Sequence, residues 1–385
     1  MNAPLQLKET FLFVASAAAA ADAKADGYRF VGVVDPRGDA SQIMRGDAVK
    51  AEWSCFEKYV LALPPGCEAL RDDLAFRLGD ERCTWVMWDD KTADLRTAIG
   101  SARRMWTDEI ASLDDIPDEG PQKVYKTGFP ALDQHGLRIT LPAFMPLIGP
   151  YGSGKSVFLR QLLVNLWRLH GWKFAITAFE ERVKPTYQRD FRRHLIGKAV
   201  ERWSDEDVAR ADVEINQCAR FLRRPRGKTY TGEYLIGQIE YAVRVYGVRV
   251  IAIDPVNEIE HQPQRGESKT DYMGRFIMHL KQLADDYGLL IIVAAHPAKA
   301  GVEKRSNDEY VYTLNDGADT AHWGNKADIG LCVWRLLKGP TMLHVEKLKV
   351  HEVNGKPCLA EMILNPALGK FNVTRIGYDI LGDNA

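Results

Sequence analysis

The chain has 385 residues, 46% of them hydrophobic and 27% charged, enough apolar material for two or three globular domains. Its 51 Lys and Arg nearly balance 52 Asp and Glu, so no global charge marks a nucleic-acid or membrane-surface binder. No apolar run approaches the roughly 18 residues needed to cross a bilayer, and Cys55, Cys67, Cys83, Cys218, Cys332 and Cys358 show neither CxxC nor zinc spacing, which fits reduced thiols in a cytoplasmic protein. Residues 1–112 carry 14 basic and 18 acidic side chains, so a polyanion partner would belong with the C-terminal part.

The first predicted element lies in FLFVASAAAAADAKADGYRF, residues 11–30. Lys8, an apolar stretch and Ala21-Asp22-Ala23 imitate an export leader, but Glu9 cancels the positive charge and the alanines make a weak apolar core. Phe11 to Val14 followed by alanines reads better as a short buried strand entering a helix.

The strongest signal begins at Phe144. Phe144 to Ile148 is strand-like, Val157 to Leu169 has helical periodicity, and between them Gly149-Pro-Tyr-Gly-Ser-Gly154-Lys155-Ser156 matches G-x-x-x-x-G-K-[ST]. Gly149, Gly152, Ser153, Gly154, Lys155, Ser156 and Val157 form the expected ATP cradle. Glycines let backbone N–H groups turn around phosphate oxygens, Lys155 reaches the β/γ-phosphates, and Ser156 can ligate Mg²⁺. Three further strands follow: FAITAF (174–179) ending in Glu180-Glu181, VRVIAI (248–253) ending in Asp254, and LLIIVAA (289–295) ending in His296-Pro297. Each polar residue falls at a strand's C-terminal end, the edge where open α/β sheets bind ligands. Asp254 then serves the Mg²⁺, and the acid after the neighbouring strand polarises the attacking water.

KTGFPALDQH, the P-loop, AFEERVKP, IAIDPVNEIE, VAAHPAK, AHWGNKADIGLCVWR and VEKLKVHEVNG occur in one order. Together they resemble the RecA-like motor of DnaB-type hexameric replicative helicases, as in phage primase-helicases and Twinkle-like proteins, over roughly residues 113–378. The resemblance implies that Glu180 activates water, His296 senses the γ-phosphate, and Lys347 and Lys349 reach a neighbouring subunit's nucleotide. The family's arginine at the second of these positions is lysine here; lysine keeps the charge but loses the planar fork that grips phosphate, so slow turnover or a contribution from Arg335 is expected. It also implies that single-stranded DNA is gripped by loops after the Asp and His strands, here 261–272 and 298–310, with Arg265, Lys269, Lys299, Lys304 and Arg305. Phe371 could stack on adenine, but a place in the core suits it better, and Arg223-Arg224-Pro225-Arg226 reads as surface or subunit contact.

The N-terminal third resembles a Toprim fold in its strand–helix pattern, yet its metal chemistry is absent. The glutamate position after the first strand reads Ala15-Ser16-Ala17, and the expected Asp-x-Asp region reads Leu61-Ala62-Leu63-Pro64-Pro65-Gly66. Asp72, Asp73, Asp89 and Asp90 fall in helix or loop positions and do not restore it. The expected architecture is α/β: a degenerate Toprim-like domain (1–100), a linker helix (101–122) docking on the adjacent subunit, and a RecA-like P-loop ATPase core of parallel sheet flanked by helices (123–385). The expected function is an ATP- and Mg²⁺-dependent helicase forming a homo-oligomeric, hexameric ring on single-stranded DNA. Primase activity is lost, a separate primase or other replication proteins are its partners, and no membrane is involved. A RecA/RadA-like recombination or repair ATPase and a nucleotide-gated DNA-binding scaffold are the alternatives.

Overall fold

The computed structural model describes residues 10–44, 56–89, 94–105, 122–179, 181–227, 229–260, 262–263, 265–298, 310–318, 322–337 and 339–377. The chain divides into two compact units, Met1–Gly120 with Val243–Gly247, and Pro121–Ala242 with Val248–Ala385.

The first unit holds a five-stranded sheet in the order β2-β1-β3-β4-β5, with β1 Thr10–Val14, β2 Phe30–Val33, β3 Lys58–Leu63, β4 Cys83–Met87 and β5 Arg103–Arg104. All neighbours are parallel except β4 and β5. β1 is apolar at successive positions because both its faces are covered. Phe11 and Phe13 join one core with Leu70, Leu74 and Leu78 of helix α2 (Glu68–Leu78). Leu12 and Val14 join the other with Ala19, Ala20 and Ala23 of α1 (Ala17–Ala25). Ala19, Ala20 and Ala23 are thus the close-packing face of a helix laid on the sheet, while Ala17, Ala18 and Ala21 face solvent.

In this strand order the crevice for a ligand lies beyond the C-terminal ends of β1 and β3. Ser16 stands there and caps α1, its hydroxyl accepting from the Ala19 N–H at 3.1 Å. Pro64 and Pro65 follow β3, with Gly66 at φ +86° and its N–H bonded to Glu68. Asp72 and Asp73 lie on α2, as expected, while Asp90 is outside the described residues. Among the described residues no cluster of three His, Cys, Asp or Glu side chains could hold a metal ion.

The second unit is built on a nine-stranded sheet ordered β14-β13-β12-β11-β6-β10-β9-β7-β8. Its strands are β6 Ala143–Ile148, β7 Phe174–Thr177, β8 Ala219–Leu222, β9 Val250–Ile253, β10 Leu290–Ala295, β11 Ile329–Arg335, β12 Thr341–Leu348, β13 Cys358–Asn365 and β14 Lys370–Ile376. From β11 through β6 to β8 every neighbour is parallel, and β12 to β14 return antiparallel. β6, β7, β9 and β10 are buried at every position, which is why each reads as an unbroken apolar run. Helix α3 (Lys155–His170) buries Phe158, Leu159, Leu162, Leu163 and Leu166 in the same core. Helices α4 (Gln188–Ile196) and α5 (Asp205–Cys218) follow β7, and α6 (Lys269–Tyr287) follows β9. Among the described residues no helix is long and apolar enough to cross a membrane, and Cys67, Cys83, Cys218, Cys332 and Cys358 are free, buried thiols. Residues 106–121, which hold most of the expected linker helix, lie outside the described residues.

One core residue makes the stability of this unit depend on pH. His194 on α4 is 2% exposed and its Nδ1 has no hydrogen-bond partner. Burial, with the nearby Lys370 charge second, pushes its pKa down to about 3. The unfolded chain titrates near 6.5, so it binds the extra proton first and folding stability falls as pH drops from 6.5 toward 3, by about 1.4 kcal/mol per pH unit from this group. Denaturant melts of His194→Gln between pH 4 and 7 are expected to show a shallower acid slope than wild type; parallel slopes would contradict the assignment.

Candidate nucleotide site

Because β6, β7, β9, β10 and β11 run parallel, their C-terminal ends share one edge, and a cavity of about 800 Å³ opens there. Its wall includes Gly152, Ser153 and Gly154 of the loop after β6, Lys155, Ser156 and Val157 in the first turn of α3, Asp254 after β9 and His296 after β10. Space requires glycine at 149 and 154, and backbone conformation favours it at 152 and 154. A side chain on Gly149 would place its Cβ 1.9 Å from the Val333 carbonyl oxygen on neighbouring β11. Gly154 has φ +95° and lies against the Phe371 ring, and Gly152 has φ +67°. Phe371 is held from below, since the Gln161 amide of α3 exchanges hydrogen bonds with both its N–H and its carbonyl. It is 3% exposed, so the core role holds although its ring also borders the cavity.

Lys155 opens α3 and is folded over the loop, its Nζ donating to the carbonyls of Gly149 and, at 2.9 Å, Pro150, with His296 Nδ1 at 3.4 Å. His296 stacks on Tyr151 with centroids 3.7 Å apart and planes at 22°. Burial and then the Lys155 charge push its pKa down to about 4, so the ring is neutral at pH 7. Its Nε2 is buried without a partner. Asp254 is 6% exposed; burial raises its pKa, while the Ser156 hydroxyl bonded to it and the Arg160 and Lys155 charges pull the other way. Thr177 on β7 anchors the Asp254 N–H at 2.8 Å.

The residues suit a nucleotide triphosphate with Mg²⁺. Ser153 Oγ is buried with no hydrogen-bond partner inside the loop. Gly154 caps α3 without a side-chain bond, which leaves first-turn N–H groups pointing at the cavity mouth. A buried carboxylate bonded to a hydroxyl is a hard-oxygen pair of the kind Mg²⁺ takes.

Several expected site residues fall elsewhere. Glu180, Lys299, Lys304 and Arg305 lie outside the described residues. Arg265 is exposed in the loop before α6, and Lys269 is the first residue of that helix. Lys347 and Lys349 do not line this cavity. β12 runs antiparallel, with Leu348 opposite Ile329 at the start of β11, so both lysines sit at the far edge of the sheet. There Lys347 donates to the Gly324 and Asn325 carbonyls, and Lys349 pairs with Asp328 at 3.2 Å. Arg335, at the end of parallel β11, does line the cavity.

Sequence reasoning missed Tyr151 and the ion-pair group beneath Glu181. Arg160, one turn after Ser156 on α3, is 3% exposed. It pairs with Asp190, binds Glu181 at 2.7 Å and lies 4.3 Å from the Tyr187 ring centre. Glu181 in turn lines the cavity. The i, i+4 spacing from Ser156 was the available signal.

Fold and site define this unit as a P-loop ATPase domain with RecA-like strand order. An AAA domain family model matches residues 138–302. The Twinkle homolog protein, chloroplastic/mitochondrial, of Arabidopsis thaliana is 26% identical over 306 residues; the match covers 70% of this chain and 42% of that protein, so the chain spans less than half the relative's length. Among solved structures, an isolated ATPase domain superposes with TM-score 0.53 at 14% identity, covering 67% of this chain and 93% of that one. A DnaB-like replicative helicase, solved in a study of its interactions with primase, gives TM-score 0.52 at 15% identity, covering 66% and 64%. In sequence the chain is thus similar to a Twinkle homolog, and in fold to an isolated ATPase domain and a DnaB-like replicative helicase.

Proposed function

We propose that the chain is an ATP- and Mg²⁺-dependent DNA helicase of the DnaB/Twinkle type, a ring of copies moving on single-stranded DNA. The observation that carries this reading is the convergence of Lys155, Ser156, Asp254 and His296 on one cavity at the C-terminal edge of a RecA-ordered sheet. Ser156 and Asp254 would hold Mg²⁺, which supplies charge neutralisation at the β- and γ-phosphates when bound. Lys155 moves its ammonium from the Gly149 and Pro150 carbonyls to phosphate oxygens. His296 offers its unpartnered Nε2 toward the γ-phosphate position, and Tyr151 holds that ring in place. Glu180 follows Phe179 beyond the end of β7, where a carboxylate can orient water.

Lys347 and Lys349, at the far edge, are assigned to the nucleotide of an adjacent copy, and Arg335 to that of its own chain. Arg265, Lys269, Lys299, Lys304 and Arg305 are assigned to the DNA. The N-terminal unit is read as a Toprim-like fold kept for assembly, its switch point occupied by a helix cap and two prolines. A separate primase as partner and a reducing, cytoplasmic setting complete the reading, the latter supported by the free thiols. The RecA/RadA-like reading is not favoured, since the likenesses point to the helicase side. Lysine at position 349 favours a second reading, a nucleotide-gated DNA scaffold.

Strand displacement from a forked duplex separates these two readings. ATP-driven displacement, abolished without Mg²⁺, is expected. Hydrolysis with DNA binding but no displacement would replace the helicase by the scaffold.

A further inference from the structure

The turn after β8 carries a cationic surface that the motif series does not use. β8 pairs in parallel with β7, Leu222 opposite Thr177, so Arg223, Arg224 and Arg226 lie on the same sheet edge as the nucleotide cavity. All three arginines are exposed, and Arg224, Pro225, Arg226, Gly227 and Thr229 line an open cleft of about 500 Å³. Lys228 lies outside the described residues.

The turn is held in place. Gln238, on the helix Gly232–Tyr246, donates to the Arg223 carbonyl at 3.2 Å and lies 3.5 Å from the Tyr234 hydroxyl. Its other amide atom accepts from the Tyr230 hydroxyl. Tyr230 in turn packs edge-on against Phe179 at 4.6 Å and Tyr234 at 5.4 Å. The exposed Tyr234 ring therefore stands one side chain away from the arginine turn.

We propose that this turn is a docking site for single-stranded DNA, with Arg223, Arg224 and Arg226 on successive phosphates and Tyr234 stacked on a base. The inference rests on the motor reading above and adds a contact outside the loops that follow the Asp and His strands. Guanidinium forks match phosphate oxygens, and an exposed aromatic ring beside them selects unpaired bases. An acidic peptide would use the arginines but leave the ring idle, and a duplex hides its base faces.

The test is binding of a fluorescent oligo-dT across a salt series. Arg223→Ala/Arg226→Ala is expected to bind roughly tenfold more weakly. Its slope of log affinity against log salt should be shallower by about 1.4, the counterions of two single-strand phosphates. Tyr234→Ala should lose at least about fivefold, with Tyr234→Phe near wild type. Melting temperature and the ATP-induced thermal shift serve as controls for folding. If wild type binds oligo-dT and the double variant matches it in affinity and slope, the docking site is overturned while the motor reading stands. A double variant that loses self-association and keeps its DNA binding overturns it too, making the turn a contact between copies. Wild type that hydrolyses ATP yet does not bind oligo-dT would remove the motor reading, and the docking site with it.

Discussion

Lys155→Ala is expected to lower ATP turnover by about 10²–10³-fold, the usual effect of deleting one preorganised charge donor from a transition-state site. Lys155 Nζ already sits among the Gly149 and Pro150 carbonyls and His296, so a short swing carries it to phosphate. Alanine removes that charge and leaves the glycine-built loop intact. Asp254→Asn should give a comparable loss, since the amide keeps the bulk but not the charge that would hold Mg²⁺. Glu180→Gln should do the same through the attacking water. A phosphate-release assay over a range of ATP concentrations checks all three. Undiminished turnover in Lys155→Ala would remove the P-loop from the chemistry.

Arg160→Ala is expected to cost about 3 kcal/mol of stability, at the lower end of what breaking a buried ion pair costs. The guanidinium is the shared partner of Asp190 and Glu181 and stacks on Tyr187. Without it, Asp190 keeps, among the described residues, only the exposed Arg189 as an ion-pair partner, and a cavity opens beside α3. Glu181 is partly exposed and rehydrates, which keeps the cost from running higher. Because Glu181 borders the nucleotide cavity, the variant should also raise the KM for ATP. Arg160→Met should recover part of the stability and none of the effect on KM. Equal denaturation midpoints for wild type and Arg160→Ala would contradict this account.

Much of the second unit was legible in the sequence because its strands are buried on both faces. Phe144–Ile148 and Leu289–Ala295 read as strands from their apolar runs, and the folded β6 and β10 match them to within a residue. The apolar run Val248–Ile253 begins two residues before the folded β9, where the chain approaches the strand, and FAITAF ends two residues after β7. Asp254 and His296 stand out by a rule of position, since each follows a strand in a parallel sheet, and Ser156 by the P-loop spacing. The opening stretch was legible for the same reason: Phe11 to Val14 had to be covered on two sides, and the alanines suit a helix packed close to a sheet.

What the sequence by itself determined is therefore the local chemistry: a glycine loop between strand and helix, acids and a histidine at strand ends, and no metal carboxylates after the first and third strands. Which of these residues meet was decided by topology. Lys347 and Lys349 lie in a motif as clear as the others, yet β12 runs antiparallel and delivers them to the opposite edge, while Arg335, on parallel β11, reaches the cavity. Tyr151 became a partner of His296 only when β6 and β10 were paired, because a stack between residues 145 positions apart has no signature along the chain. Periodicity and spacing report what a residue's own neighbours require; strand order and direction decide which distant side chains share one edge.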